Sequence, residues 1–233
     1  MANPKLVLYV DVVSPFAYLS FHVLNTSLVF KECEVTYVPV FLGGIMKATE
    51  NRPPIEIKNI TKDKGEWLRK ERLRWAKLFN VPMAEGIPPG FPANTIKVQR
   101  VLTSVAILHP ERLGDTLAAI YHASFAELKE VHTPDRLVPI LAKLFGEEGT
   151  KEILIKVAIK LSTSDEVKKL LIAKTDEALA EGSFGLPWYV ATNSKGDKEC
   201  YWGFDHIAQV TDHLGLARPK SSSASEGGWR AML

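Results

Sequence analysis

The spacing of apolar and polar positions changes period twice along the chain. Residues 5–11, Lys5-Leu6-Val7-Leu8-Tyr9-Val10-Asp11, form a short apolar run that predicts a strand. From residue 15 to about 30 the spacing becomes helical, with Phe16, Leu19, Val23 and Leu24 on one face. Residues 34–42 (EVTYVPVFL) are β-branched and aromatic and predict a second strand. Strand, helix and strand in close succession make a βαβ unit with parallel pairing. Helical spacing or caps then mark 63–80, 95–108, 111–128, 134–146, 150–161 and 164–181. Thr133-Pro134 and Ser164-Asp165-Glu166 are suited to helix starts, where a side-chain oxygen meets free N–H groups and Pro fits the first position. Val81-Pro82 and the Pro-rich 87–95 interrupt the helices. After residue 183 strands return: 186–192, a turn at Asn193-Ser194-Lys195-Gly196, and 198–203. A last helix is predicted over 205–215, with Asp205 at its cap and Gly215 at its end.

The order is therefore βαβ, a long helical block, then ββα. This predicts an α/β chain. Its thioredoxin-like domain is discontinuous, from 1–45 and 183–216, and is interrupted by a large all-helical insertion over 46–182. Residues 217–233, rich in Ser, Gly and Pro, predict a flexible tail.

Composition narrows the function classes. Of 233 residues, 46% are hydrophobic and 24% charged, as in ordinary soluble globular proteins. A net charge of +2 gives no electrostatic case for nucleic acid or an acidic membrane as the main partner. No apolar run approaches the ~20 residues of a membrane span. The first strand begins by about residue 5, which leaves no room for a signal or transit peptide. Cys33 and Cys200 are isolated and form neither CxxC nor metal-ligand spacing, which suits a reducing compartment. The six histidines share no spacing, and none reads as a metal ligand.

The sharpest local feature is Ser14-Pro15, where the first strand gives way to the first helix. A helix N-terminus has unpaired N–H groups and partial positive charge; Ser caps it and Pro fits its first position. Capping alone accounts for the pair. The same place, at the carboxyl end of a strand, is also where open α/β sheets bind ligands and where a thiol's pKa falls. Thioredoxin-like redox proteins carry CxxC here. This chain has Ser14, Pro15, Phe16 and Ala17, which excludes disulfide exchange by the turn, because that needs two sulfurs. A Ser hydroxyl can still donate to a thiolate that a ligand brings. Leu186-Pro187 opens the third strand. A cis Pro facing the helix N-terminus would let the preceding residue pair with an extended peptide, such as a thiol tripeptide.

YVDVVSPFAYLSF at 9–21, GGIMKATENRPP at 43–54, FGLP at 184–187 and YWGFDHI at 201–207 together resemble the kappa-class glutathione transferases and their relatives, the 2-hydroxychromene-2-carboxylate isomerases. The similarity spans nearly the whole chain up to about residue 216. It implies a DsbA-like thioredoxin fold, a homodimer, and glutathione as co-substrate with no other cofactor. Carried over by position, Ser14 would hydrogen-bond the glutathione sulfur, and Leu186, beside Pro187, would pair with the cysteinyl backbone. Asp205 would hold the γ-glutamyl ammonium, and Asn51 the glycyl end. Lys58, Lys62 and Lys64 are candidates for the glycyl carboxylate, with Lys62 favoured. The family usually reads Gly-Ser-Asp where this chain has Gly203-Phe204-Asp205, so Phe204 offers glutathione its backbone N–H but no hydroxyl.

Bland readings stand beside these roles: Asp205 as a helix cap, Asn51 as a turn residue, Asp11 as a structural acceptor. Arg69, Lys70, Arg72, Arg74 and Lys77 predict a solvated helix face; Trp67, Leu68, Trp75, Leu78 and Phe79 predict its apolar side. The function implied is detoxification: a glutathione thiolate attacks a small hydrophobic electrophile or reduces a hydroperoxide. The alternatives are a glutathione-dependent isomerase and a non-catalytic glutathione-fold binding protein. Relatives occur in mitochondria and peroxisomes; cytoplasm is the other intracellular option.

Overall fold

The sheet is mixed and four-stranded, in the order β2-β1-β3-β4, in a computed structural model that describes residues 2–51, 62–158, 163–219 and 227–232. Its strands are β1 Lys5–Val10, β2 Glu34–Pro39, β3 Trp188–Thr192 and β4 Lys198–Trp202. β1 runs parallel to β2, with Lys5 opposite Glu34, and antiparallel to β3, with Leu8 opposite Tyr189. β3 and β4 form the expected hairpin, and Gly196 supplies the positive φ of its turn.

Both faces of the central strands are covered, so β1 reads as an apolar run rather than an alternation. Leu6, Leu8 and Val10 join Tyr189 and Ala191 in a large core against α1, Pro15–Thr26, and the helices that follow β2. Tyr9, Trp188 and Val190 point the other way, into a smaller core with Ile45 and Ala178. That second core is closed by α2, Leu42–Ala48, and α7, Thr163–Ala180. The period of two along each strand divides the side chains between the two cores.

The strand predicted over 34–42 ends at Pro39, and α2 follows, a helix whose two glycines give little sequence signal. Between α2 and β3 lie α3, Lys62–Leu78; α4, Ile96–Leu108; α5, Leu113–Phe125; α6, Pro134–Ala158; and α7. Gly146, at φ 70°, breaks α6 where the sequence separates two helices. At the end of the sheet a 3-10 turn, Phe204–His206, leads into α8, Ile207–His213. Asp205 is thus not a helix cap: Gly203 precedes the turn, and His206 occupies the cap position of α8. Gly215 follows α8 with φ 71°, as the sequence predicts.

Three surface expectations change. Arg72 is buried, and its guanidinium donates to the carbonyls of Ala84, Glu85 and Gly86. Trp67, assigned to the apolar side of α3, is 55% exposed near the start of that helix. Within the tail, Gly227–Arg230 forms a turn of helix, α9, and Trp229 is buried against Phe79 and Phe30.

Candidate active site

At the carboxyl end of β1, the Ser14 Oγ accepts from the Ala17 amide at 3.1 Å and caps α1. The same hydroxyl donates to the Leu186 carbonyl at 3.3 Å. A hydroxyl has one donor and two acceptor positions. Turning its proton away from Leu186 leaves the contact with Ala17 intact. Capping and donation to a ligand sulfur are therefore compatible at one atom.

The segment 184–187 is the hub of the site. The Leu186–Pro187 bond is cis. The Leu186 side chain is buried in the smaller core, which fixes its backbone beside Ser14. Asn51 Nδ2 donates to the Phe184 carbonyl at 2.8 Å, so the segment after α2 reaches the same hub. The Gly203 amide donates to the Pro187 carbonyl at 3.1 Å and brings the loop bearing Asp205 alongside. Gly203 has φ 92°, and a Cβ there would meet the Asp205 carboxylate at 2.5 Å, so only glycine suits the position. The Asp205 side chain is mostly exposed, with Oδ1 3.5 Å from His206 Nδ1, and is accessible to a ligand ammonium.

The structure thus groups Ser14, Asn51, Leu186, Pro187 and Asp205 around 184–187. Phe204 contributes differently: its ring is buried against Trp75 and Phe79, which leaves only its backbone for a ligand. Lys58 lies outside the described residues, as does the side chain of Lys62, the first residue of α3; Lys64, in the same first turn, is exposed.

Behind Ser14 is a buried carboxyl with a larger part than the sequence reading assigns. Asp11 Oδ1 accepts from the Val13 amide at 3.1 Å and the Thr95 hydroxyl at 2.7 Å, and Oδ2 from the Leu42 amide at 2.9 Å. Its carbonyl accepts from the Ser14 amide at 3.0 Å and from the Tyr121 hydroxyl at 3.1 Å. One residue ties the Ser14 turn to the starts of α2 and α4. Burial pushes its pKa up to about 6, against the three hydrogen bonds that favour the carboxylate. Gln99 adds a clamp, its Nε2 donating to the carbonyls of Val10 and Val40. The signal for this support was present: Thr95, Gln99 and Thr103 are polar at four-residue spacing and share the buried face of an apolar helix.

On the far side of the turn, Val12 and Val13 face a pocket whose other walls include Pro88, Phe91, Phe125 and Val131. These walls come from the helical block, which also lines the pocket with Thr95, Ser124, Lys129 and His132. Among the described residues no cluster of three or more His, Cys, Asp or Glu could hold a metal, and no helix is long and apolar enough to cross a membrane.

A model of the DsbA-like thioredoxin domain matches residues 5–215. Among curated proteins, glutathione S-transferase kappa 2 of Caenorhabditis elegans is 26% identical over 221 residues, covering 92% of this chain and 93% of the relative. Glutathione S-transferase kappa 1 of Rattus norvegicus is 28% identical over 216 residues, 90% of each chain. Among solved structures, a 2-hydroxychromene-2-carboxylate isomerase superposes with a TM-score of 0.69 at 17% identity, covering 91% of this chain and 94% of the other.

Proposed function

The chain belongs to the DsbA-like thioredoxin domain family, and from that premise we propose that it is a glutathione transferase of the kappa class. The observation that carries the reading is the Ser14 hydroxyl at the N-terminus of α1, beside the Leu186 carbonyl and without a cysteine in the turn. Kappa-class relatives aligned over some nine-tenths of the chain support it.

A free thiol has a pKa near 8.5, so little thiolate exists at pH 7. Lowering it by about two units takes about 2.7 kcal/mol of preference for the charged form. A helix N-terminus and one hydroxyl donor to sulfur are together of that size. Ser14 holds the sulfur as thiolate, Leu186 and Pro187 align the cysteinyl backbone, Asp205 pairs with the γ-glutamyl ammonium, and Asn51 faces the glycyl end. Lys62 is favoured for the glycyl carboxylate. The thiol proton leaves to solvent. The sulfur then forms its bond to an electrophilic carbon as that carbon's bond to a halide breaks and the halide departs. The second substrate is a small hydrophobic electrophile, a class that Val12, Val13, Phe91 and Phe125 beside the Ser14 turn favour. Two copies of the chain form the working dimer, in an intracellular compartment.

The test is the ultraviolet absorbance of bound glutathione thiolate, titrated with pH in wild type and Ser14→Ala. The expected result is a depressed apparent pKa in wild type that rises in the variant. No thiolate signal in either protein overturns the reading. An isomerase would use the same thiolate and regenerate it; loss of one glutathione per turnover of an activated aryl halide favours the transferase.

A further inference from the structure

The tail beyond residue 215 lies outside the region matched by the family model, yet it packs on Phe79, which in turn packs on Phe204 beside Asp205. Trp229 is 3% exposed. Its ring sits 5.5 Å from Phe79, nearly perpendicular at 82°, and 6.1 Å from Phe30. Phe79 in turn meets Phe204 edge to face, 5.2 Å away at 85°. Trp75 closes the cluster at 5.6 Å from Phe204. A continuous aromatic path thus runs from the tail, through Phe79 just past the end of α3, to the residue between Gly203 and Asp205.

The tail is fitted to Phe79 and does not simply rest on it. A Cβ on Gly228 would fall 2.5 to 2.6 Å from three ring carbons of Phe79. Only glycine allows the backbone so close. The path also explains the departure at 204. A serine there would leave Phe79 and Trp75 without the ring they pack on.

We infer that Gly228 and Trp229 are positioning residues that hold the Gly203–Asp205 loop in its glutathione-binding geometry, acting through Phe79 and Phe204. The inference rests on the reading of Asp205 as the partner of the γ-glutamyl ammonium. Without the tail, Phe79 loses the ring on its outer side and the Phe204 side chain gains room. The Gly203 amide then leaves Pro187 more often, and Asp205 spends less time where an ammonium would meet it.

The test uses the full chain as wild type, Trp229→Ala, Gly228→Ala and Trp229→Phe, with two readouts. Amide hydrogen exchange over residues 203–207 needs no ligand; it is expected to be faster in both Ala variants than in wild type. Calorimetry with glutathione is expected to show a Kd raised about three- to tenfold in the Ala variants, and kcat at saturating glutathione within about twofold of wild type. Trp229→Phe keeps a ring and is expected to stay near wild type in both. Faster exchange confined to the tail, with Kd unchanged, overturns the inference. If Trp229→Ala does not fold, Gly228→Ala, which removes no side chain, decides by the same readouts. Wild type that fails to bind glutathione overturns the proposed function, whereas the exchange comparison still decides whether the tail governs the loop.

Discussion

The Ser14 hydroxyl lies 3.3 Å from the Leu186 carbonyl, joining the start of α1 to the residue before Pro187 across 172 positions of sequence. Ser14→Ala removes that contact, the cap on Ala17 and the donor to a ligand sulfur. We expect about 1 kcal/mol of lost stability from the cap, visible in urea unfolding. We expect kcat for conjugation to fall about ten- to a hundredfold, the worth of a hydrogen bond to a charged group. The glutathione Kd should change far less than kcat. A loss of stability with kcat untouched would leave Ser14 as a helix cap only.

Asp11 gives a pH dependence of unusual sign for a carboxyl. Its pKa in the fold, about 6, lies above the ordinary 3.8, so between those values the folded chain holds a proton that the unfolded chain has released. Its contribution to stability is present in full below about pH 4 and is lost as pH rises through about 6. Relative to Asp11→Asn, wild type should lose on the order of 3 kcal/mol between pH 4 and pH 7. Urea midpoints of both proteins across that range measure it. A constant difference between the two would show that Asp11 does not titrate there.

Phe204→Ser exchanges a buried ring for a hydroxyl. The ring it removes is buried between Trp75 and Phe79. Loss of a buried Phe costs about 3–5 kcal/mol. We expect Phe204→Ser to unfold at clearly lower urea, with no gain in glutathione affinity from the added hydroxyl. A cost below about 1 kcal/mol would mean that the aromatic path is slack.

Among the described residues Arg72 makes no ion pair, and three carbonyls hold its guanidinium. Arg72→Leu should cost about 2–4 kcal/mol, because it strands the acceptors of Ala84, Glu85 and Gly86. Arg72→Lys can satisfy one or two of them and should cost less. Equal stability of Arg72→Leu and wild type would show that water serves those carbonyls.

Much of this frame was legible in the sequence because local chemistry and tertiary need agree. Leu6 to Val10 is a short apolar run of strand length that predicts a strand, and Ser14-Pro15 marks the helix start whichever role Ser14 has. The parts that were not legible depend on what arrives from elsewhere. Leu42–Ala48 contains Gly43 and Gly44, and its first amide is satisfied by Asp11, 31 positions away in sequence. Arg72 looks solvated until a loop of carbonyls folds over it. Asp205 has the right type for a cap, but the chain makes a 3-10 turn there, led by Gly203 in a conformation that suits glycine. Trp229 sits in a Ser/Gly-rich tail whose composition argues against order, and its burial depends on Phe79 and Phe30.

The strand order also sets a timetable for synthesis. β1 can pair with β2 as soon as Pro39 has been made, but its other edge waits for β3, Trp188–Thr192. At about 5–20 residues per second, that wait lasts on the order of ten seconds or more. Throughout it the nascent chain carries an unpaired edge of Leu, Val and Tyr while the helical block is still being translated. A chain that stops before Trp188 therefore has no β3 to set against that edge of β1, and the edge stays open to pairing with other chains.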